Sequence, residues 1–244
     1  MEASGPLVAR WRAFEYVSIE AGALHQATAE VENAGSATWR TRGPDEGLFL
    51  AYHWLDERGN AIVWDSPRTP LERAVAPGET LRQQLPLRGP IPPGRYRLAV
   101  DLVEEHRFWL AEIGNPPYEE DVDVLPRDAT GARAFLGDDA ETAEDWQERV
   151  RELHEEGYAA VGGAIQVEQG LLRRGDPELA PYVPGGGRHP RFTYPLVCPS
   201  LLPPLEPNCV VAGLPAYAPE GDEPSMFDGR LVIRLRSRSD RRRD

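Results

Sequence analysis

The sequence predicts a mainly β protein: an antiparallel β-sandwich followed by a small, loop-rich α+β domain. Three observations predict this fold class. Short apolar segments with period-two alternation recur through the first half of the chain. Turn residues separate these segments about every eight to twelve residues, the spacing of a sandwich. One segment with helical spacing follows in the second half, between stretches that are rich in proline and glycine.

Length and composition set the number of domains. The chain has 244 residues, which is long for one small domain and sufficient for two, since domains usually contain about 100–150 residues. Hydrophobic residues make up 41% and charged residues 27%, so a core can form without disulfides or metals. The 24 Pro and 23 Gly favour short strands and loops over a helix bundle. We expect the sandwich over residues 1–127, the α+β domain over 128–236 and a disordered basic tail over 237–244.

A central strand is predicted over Leu48–Leu55, because both of its faces are apolar. The turn at 56–60 contains Gly59, which accepts the positive φ of a tight turn. Residues 61–64 then return as the hairpin partner of the central strand. A hairpin with an apolar first strand is the expected middle of a sandwich.

The clearest alternation between an inner and an outer face lies in Arg95–Val103. Its inward residues are Tyr96, Leu98, Val100 and Leu102. We expect Arg95, Arg97 and Asp101 on the outward face. Similar strands are predicted at 27–32, 80–87 and 120–125. About seven short strands with turns of this kind are typical of an immunoglobulin-like sandwich.

Six short motifs in these strands carry a resemblance to a known family. They are V-E-N-A-G-S-A-T-W (31–39), Y-H-W-L-D (52–56), R-T-P-L (68–71), A-P-G-E (76–79), P-P-G-R-Y (92–96) and D-L-V-E-E (101–105). Together they resemble bacterial immunoglobulin-like accessory domains, of the kind found beside glycosyltransferases and methyltransferases of surface-polysaccharide clusters. The resemblance covers about 110 residues of the N-terminal half. It implies an accessory, glycan-related context and no particular reaction.

The second domain is predicted to open with a helix and a strand. The apolar residues of the helix recur at intervals of three and four: Ala143, Trp146, Val150 and Leu153. Asp138 or Asp139 can cap its start, and Gly157 is placed to end it. Residues 158–167 follow as a strand with a Gly-Gly interruption, and residues 230–235 form a last strand. The remainder lacks periodicity, so we expect long loops there.

A glycine-rich segment, P-G-G-G-R-H-P-R-F at 184–192, is the first candidate for ligand binding. Its glycines expose backbone N–H groups, and its basic side chains add charge, which suits a phosphate or sugar-phosphate. The candidate residues are Gly185, Gly186, Gly187, Arg188, His189 and Arg191. A nucleotide-binding turn follows a strand and leads into a helix. Neither element is predicted beside this segment. A structural loop packed on the sandwich therefore stays the alternative.

A second candidate lies at the end of the strand that Arg95 begins. Glu105 and His106 precede Trp109, an arrangement that can place an aromatic platform beside carboxylates for a sugar. The alternative is a strand-end turn in which Trp109 is buried at the edge of the sandwich.

Motifs for catalysis and metal binding match only in part. Asp121 and Asp123 form a D-x-D, but alternation places both on the polar side of a strand. Ser200 lacks the glycines of a nucleophile elbow, and His154 lacks the second histidine of a zinc helix. We therefore expect no catalytic residue, no metal ligand and no cofactor. The two cysteines, Cys198 and Cys209, are expected to be small buried side chains.

Charge and hydropathy restrict the partners. A net charge of −13 argues against nucleic acid, because a nucleic-acid surface needs clustered cations. No run of about 18 apolar residues occurs, and residues 1–12 lack the order of a signal peptide. We therefore expect a cytoplasmic protein that does not insert into membranes.

The function these observations favour is a non-enzymatic accessory module that binds an oligosaccharide or a protein, in a bacterial surface-glycan pathway. One alternative is an enzyme or enzyme remnant of glycosyltransferase or methyltransferase type, with a donor site at 185–191. Another is a structural adaptor that pairs through the edge of the sandwich. The sequence does not determine the oligomeric state.

Overall fold

A computed structural model describes residues 5–130, 133–135, 140–142, 144–167, 209–211 and 224–235. Contacts divide the chain into two compact units, Met1–Leu125 and Pro126–Asp244. The protein is mainly β, and most of its strand pairs are antiparallel, which confirms the predicted class at that level. Across the described ranges, no helix is long and apolar enough to cross a bilayer.

The described residues of the first unit form two antiparallel sheets. The strands are β1 (Ala9–Glu15), β2 (Leu24–Asn33), β3 (Thr41–Gly43), β4 (Glu46–Leu55), β5 (Ala61–Val63), β6 (Thr69–Pro70), β7 (Thr80–Arg88), β8 (Gly94–Glu104), β9 (Phe108–Trp109) and β10 (Tyr118–Val124). The first sheet has the order β1-β2-β7. The second has the order β10-β8-β4-β3, with β5 and β6 paired to β4 and β9 paired to β8.

The core of the first unit takes side chains from both sheets. In β7, burial alternates strictly, so Leu81, Leu85 and Leu87 contribute to the core while their neighbours face solvent. Trp39 and Trp54 are fully buried in the same core, and the Trp54 indole donates to the Arg88 carbonyl at 2.8 Å. Burying the apolar face of each sheet against the other is what stabilises such a pair of sheets.

Strands β4 and β8 are buried on both faces, and here one prediction is wrong. From Leu98 to Val103 every residue of β8 is buried, including Asp101, which is only 2% exposed. Alternation predicted an outward, solvated Asp101. The outer face of this part of the sheet is covered by other segments of the same chain, so alternation between core and solvent is lost. The prediction that β4 is apolar on both faces is confirmed.

The second unit has one helix and a mixed sheet among its described residues. The elements are β11 (Arg133–Phe135), β12 (Ala140–Thr142), α1 (Trp146–Glu155), β13 (Ala160–Val167), β14 (Cys209–Val211) and β15 (Ser225–Leu235). The sheet has the order β11-β14-β13-β15-β12, in which β13 and β15 run parallel. Val150 and Leu153 of α1 pack against Val161 of β13.

The start of α1 differs from the prediction, and its end agrees with it. Strand β12 separates Asp138 and Asp139 from the helix, and Asp145 occupies the position before its first residue, so the predicted caps are wrong. The prediction for the other end is confirmed, because Gly157 follows with a φ of +121°. The predicted strand at 158–167 is confirmed from Ala160 onward.

His154 joins the two segments that flank α1. Its ring is fully buried, with Nδ1 2.8 Å from the Tyr158 carbonyl and Nε2 2.8 Å from the Asp128 carbonyl. Burial lowers the pKa of His154, and the two backbone contacts act in the opposite direction. This histidine therefore has the structural role that its isolation in the sequence indicates.

Candidate functional site

The outer face of the second sheet carries an aromatic cluster, which consists of His53, Trp64, Arg68, Glu105 and Trp109. His53 comes from β4, Trp64 follows β5, Trp109 ends β9 and Glu105 follows β8. Pairing of β4 with both β5 and β8 brings these separate parts of the sequence together. Beneath them, Phe49, Ala51 and Val103 form a small buried layer with Trp109.

His53 is the centre of the aromatic cluster. Its ring stacks on the Trp64 indole with centroids 4.1 Å apart and planes 21° from parallel. On its other side it meets Trp109 edge to face, with centroids 4.2 Å apart. The two indoles are 6.2 Å apart. Aromatic pairs at such distances add stability beyond their buried area, so the three rings form a rigid unit.

His53 also fixes the backbone of Trp64. Its Nδ1 contacts the Trp64 carbonyl oxygen. Because a carbonyl only accepts, Nδ1 carries the hydrogen and donates it. Burial lowers the pKa of His53, and the nearby Arg68 guanidinium acts in the same direction. This shift favours the neutral form of the ring that stacks on the Trp64 indole.

Arg68 closes the other side of the aromatic cluster. Its guanidinium carbon lies 4.8 Å from the centroid of the Trp109 ring. Its Nη2 is 2.7 Å from Asp65 Oδ1 and its Nε is 2.7 Å from Glu105 Oε2. Its Nη1 donates to the Ser66 carbonyl at 2.9 Å. All three guanidinium nitrogens therefore have a partner within the protein.

A tight turn places Trp64 on the sheet. In the β4–β5 hairpin, Asp56 Oδ1 accepts hydrogen bonds from the backbone N–H groups of Arg58 and Asn60, at 2.9 and 2.7 Å. Gly59 has a φ of +82°, which glycine adopts without strain. The Asp and Gly of this turn fix where β5 begins, and hence where the Trp64 ring meets His53.

Asp101 anchors the segment that carries Trp109. Its Oδ2 accepts from the Ala111 N–H at 3.1 Å, and its Oδ1 accepts from the Leu102 N–H at 2.7 Å. Ala111 belongs to a 3₁₀ turn at Leu110–Ile113 that follows β9 directly. Burial raises the pKa of Asp101 to about 6, with a further contribution from the charge of Glu112.

One side of the aromatic cluster is open to solvent. Trp64 is 53% exposed, its neighbour Ile62 is 46% exposed, and the side chain of Asp65 is 72% exposed. An indole that stacks on one ring has a second face available, and Asp65 provides a hydrogen-bond acceptor beside it. This arrangement can bind a flat apolar surface that carries hydroxyl groups.

The structure places the three residues of the second predicted site, Glu105, His106 and Trp109, in different surroundings. Glu105 and Trp109 come together through Arg68, but Trp109 is only 9% exposed and offers no open platform. His106 has a φ of +59° in the turn, and its exposed Nδ1 is 3.9 Å from Glu105 Oε1. Sequence reasoning missed Trp64 as a site residue. The signal was present, since a Trp at the end of a short edge strand is rarely fully covered.

The other predicted sites have different outcomes. Residues 185–191 lie outside the described residues, so the glycine-rich candidate stays a prediction. Asp121 of the D-x-D pairs with Arg97 at 3.1 Å and Arg95 at 3.3 Å across the β8–β10 ladder. No group of three metal-binding side chains occurs among the described residues.

Comparisons with known proteins identify no family. No family model matches the chain, and no curated protein matches it in sequence. Solved structures that it matches include an alkylpurine DNA glycosylase, AlkC, of Pseudomonas fluorescens bound to DNA with an abasic site analogue (12% identity, TM-score 0.29, 48% of this chain and 30% of that chain). Another is a putative β-galactosidase of Bacteroides fragilis (12% identity, TM-score 0.26, 66% of this chain and 20% of that chain).

A third match is the putative ApaA protein of Bordetella pertussis, at 18% identity and a TM-score of 0.24, over 51% of this chain and 99% of that chain. The chain spans less than a third of the length of the glycosylase and galactosidase chains. TM-scores this low carry no argument about function, so the function must be inferred from the site itself.

Proposed function

We propose that the first unit is an immunoglobulin-like sandwich and that the protein is a non-enzymatic accessory module that binds carbohydrate in bacterial surface-glycan biosynthesis. The strand order supports the fold: β1-β2-β7 corresponds to strands A-B-E of such domains, and β10-β8-β4 to G-F-C. The motifs between residues 31 and 105 support the glycan context through their family resemblance.

The half-exposed Trp64 indole is the observation that carries the binding proposal. Sugars present apolar C–H faces that pack on aromatic rings, and their hydroxyl groups bind to neighbouring polar side chains. A ring that is already immobilised loses little conformational entropy when a ligand binds. Trp64 meets this condition, because His53 holds it by both ring stacking and a hydrogen bond.

The two buried titratable side chains at this face, Asp101 and His53, are placed for a structural role and not for catalysis. General acid–base chemistry needs a titratable group within reach of the substrate. Asp101 has a raised pKa but is buried beneath the 3₁₀ turn, and its oxygens accept backbone N–H groups. His53 is buried between two indoles. Neither side chain can reach a sugar on the exposed face of Trp64.

A glycan array of bacterial surface polysaccharides tests this proposal with four forms of the full chain: the wild type, two Trp64 variants and a control variant. The wild type and Trp64→Phe should bind at least one glycan class, because both present an aromatic face. Trp64→Ala should lose binding by about tenfold or more. Val17→Ala is the matched control, since Val17 is 99% exposed in the same unit and lies in the connection between β1 and β2.

The melting temperature of each variant shows whether a loss of binding comes from the missing indole or from unfolding of the protein. Retained binding by Trp64→Ala at wild-type affinity would contradict the proposal. Binding by no form would also contradict it, and attention would then shift to a protein partner. The transferase alternative stays a prediction, because its donor segment at 185–191 is outside the described residues. A thermal shift with a nucleotide sugar or S-adenosylmethionine would support that alternative.

A further inference from the structure

The charge distribution around Trp64 restricts the class of sugar that the site can take. We propose, on the basis of the function proposed above, that the site binds neutral sugars, such as hexoses and N-acetylhexosamines, and excludes sugars that carry carboxylate, sulfate or phosphate groups. Three features of the aromatic cluster support this inference.

The first feature is that each guanidinium nitrogen of Arg68 already contacts an acceptor within the protein. A guanidinium that selects acidic sugars must present free N–H groups in a fork toward the ligand. Arg68 instead uses Nε, Nη1 and Nη2 on Glu105, Ser66 and Asp65, at 2.7 to 2.9 Å. Its side chain is only 22% exposed, and the Trp109 ring lies below it. A ligand anion that approached Arg68 would compete with the two carboxylates that already pair with it.

The second feature is the exposed carboxylate of Asp65. Asp65 follows Trp64 directly in the sequence, and 72% of its side chain surface faces solvent. A carboxylate accepts hydrogen bonds from sugar hydroxyl groups, and it repels an anion in the same place. The exposed side chain that follows Trp64 in sequence is therefore suited to a neutral ligand.

The third feature is that Arg107, another cation at this end of the sheet, has an acidic neighbour. Arg107 Nη1 is 3.7 Å from Glu104 Oε1, and its guanidinium lies over Phe108. His106 faces Glu105 at 3.9 Å. Burial lowers the pKa of His53 behind the indole, which favours its neutral form. With a net charge of −13 on the whole chain, the long-range field also opposes anionic glycans.

Binding of three oligosaccharides of equal length tests the inference: a β-linked glucose hexamer, an N-acetylglucosamine hexamer and a galacturonic acid hexamer. Each is titrated into the full chain at low salt, with Trp fluorescence and isothermal calorimetry as readouts. We expect the wild type to bind at least one neutral hexamer about tenfold or more tightly than the galacturonic acid hexamer. Trp64→Ala should abolish the binding.

Two variants test the role of charge. Asp65→Asn removes the exposed carboxylate and one partner of Arg68, so it should weaken neutral binding and narrow the preference over galacturonic acid by about tenfold. Glu105→Gln removes the charge of the second acidic partner of Arg68 and should also narrow the preference for neutral hexamers over the galacturonic acid hexamer. Both variants should retain Trp64-dependent binding.

The possible failures are distinct. Tighter binding of the galacturonic acid hexamer by the wild type would overturn the neutral-sugar inference and leave the proposed carbohydrate function standing. An unchanged preference in both charge variants would also overturn the inference, because the carboxylates would then play no part in selection. Binding of none of the three hexamers, together with a silent glycan array, would overturn the proposed function and the inference together.

Discussion

The two outer faces of the first unit differ in what covers them. On the first sheet, Arg82 pairs with Glu15 at 2.9 Å and with Glu30 at 3.3 Å, and all three side chains face solvent. On the second sheet, His53, Trp109 and Asp101 are buried under segments of the same chain. An outer face made of exposed ion pairs contributes little to stability, whereas a covered face needs apolar packing and satisfied polar groups. The comparison shows that a second hydrophobic layer lies on the face that carries the aromatic cluster.

The largest expected effect is on the covered face. Trp109→Ala should lower the free energy of unfolding by about 3 kcal/mol, because it removes a buried indole and leaves a cavity beside His53 and Arg68. Urea denaturation of the full chain, followed by far-UV circular dichroism, measures this change. A loss below about 1 kcal/mol would show that this face is not a packed layer and would remove the contrast between the two faces.

The next effect is a pH dependence of stability that arises from Asp101, which is buried on the same face. Because burial raises the pKa of Asp101 from 3.8 to about 6, the folded protein holds a proton that the unfolded chain has lost in this interval. The contribution of Asp101 to the free energy of unfolding therefore falls by up to about 3 kcal/mol as the pH rises from about 4 to about 6. Above about pH 6 this contribution does not recover.

Asp101→Asn isolates this effect, since other titrating groups cancel in the difference between variant and wild type. The stability of the variant relative to the wild type should increase by about 1–2 kcal/mol between about pH 5 and about pH 7.5. Denaturation curves at the two pH values give this difference. A constant difference would mean that the Asp101 carboxyl does not titrate under the 3₁₀ turn in this range.

The smallest effect is expected on the exposed face. Arg82→Ala should leave the unfolding free energy almost unchanged, because its ion pairs with Glu15 and Glu30 lie in water. The contact with Arg82 lowers the pKa of Glu15. Because Glu15 is exposed to solvent, salt screens this contact. Denaturation at low and high salt measures the change. A loss as large as that of Trp109→Ala would abolish the distinction between the faces.

The sequence predicted the parts of the fold that depend on local pattern. The apolar faces of β4 and the alternation of β7 follow from residue spacing alone, and the structure confirms the antiparallel strands they form. The burial of Asp101 did not follow, because it depends on a 3₁₀ turn ten residues later that folds back over β8. Spacing along one strand carries no information about what covers its outer face.

The aromatic cluster was predictable only in part. Glu105 and Trp109 are close in sequence, so their proximity was expected. Arg68 is 37 residues from Glu105 and reaches it only because β4 pairs with β8 on one side and with β6 on the other. Trp64 and His53 likewise meet through a hairpin whose register has an irregularity at Trp54 and Leu55. Such contacts depend on strand register, which alternation alone does not determine.

Strand β10 ends the order of the second sheet, and its sequence has a consequence for how copies of the protein meet. Its outward side chains, Glu119, Asp121 and Asp123, are all acidic. If two copies approached through this edge, carboxylates would face carboxylates along the new ladder, which destabilises strand pairing. Among the described strands none pairs with the outer edge of β10, and its acidic side chains disfavour fibre growth through that edge.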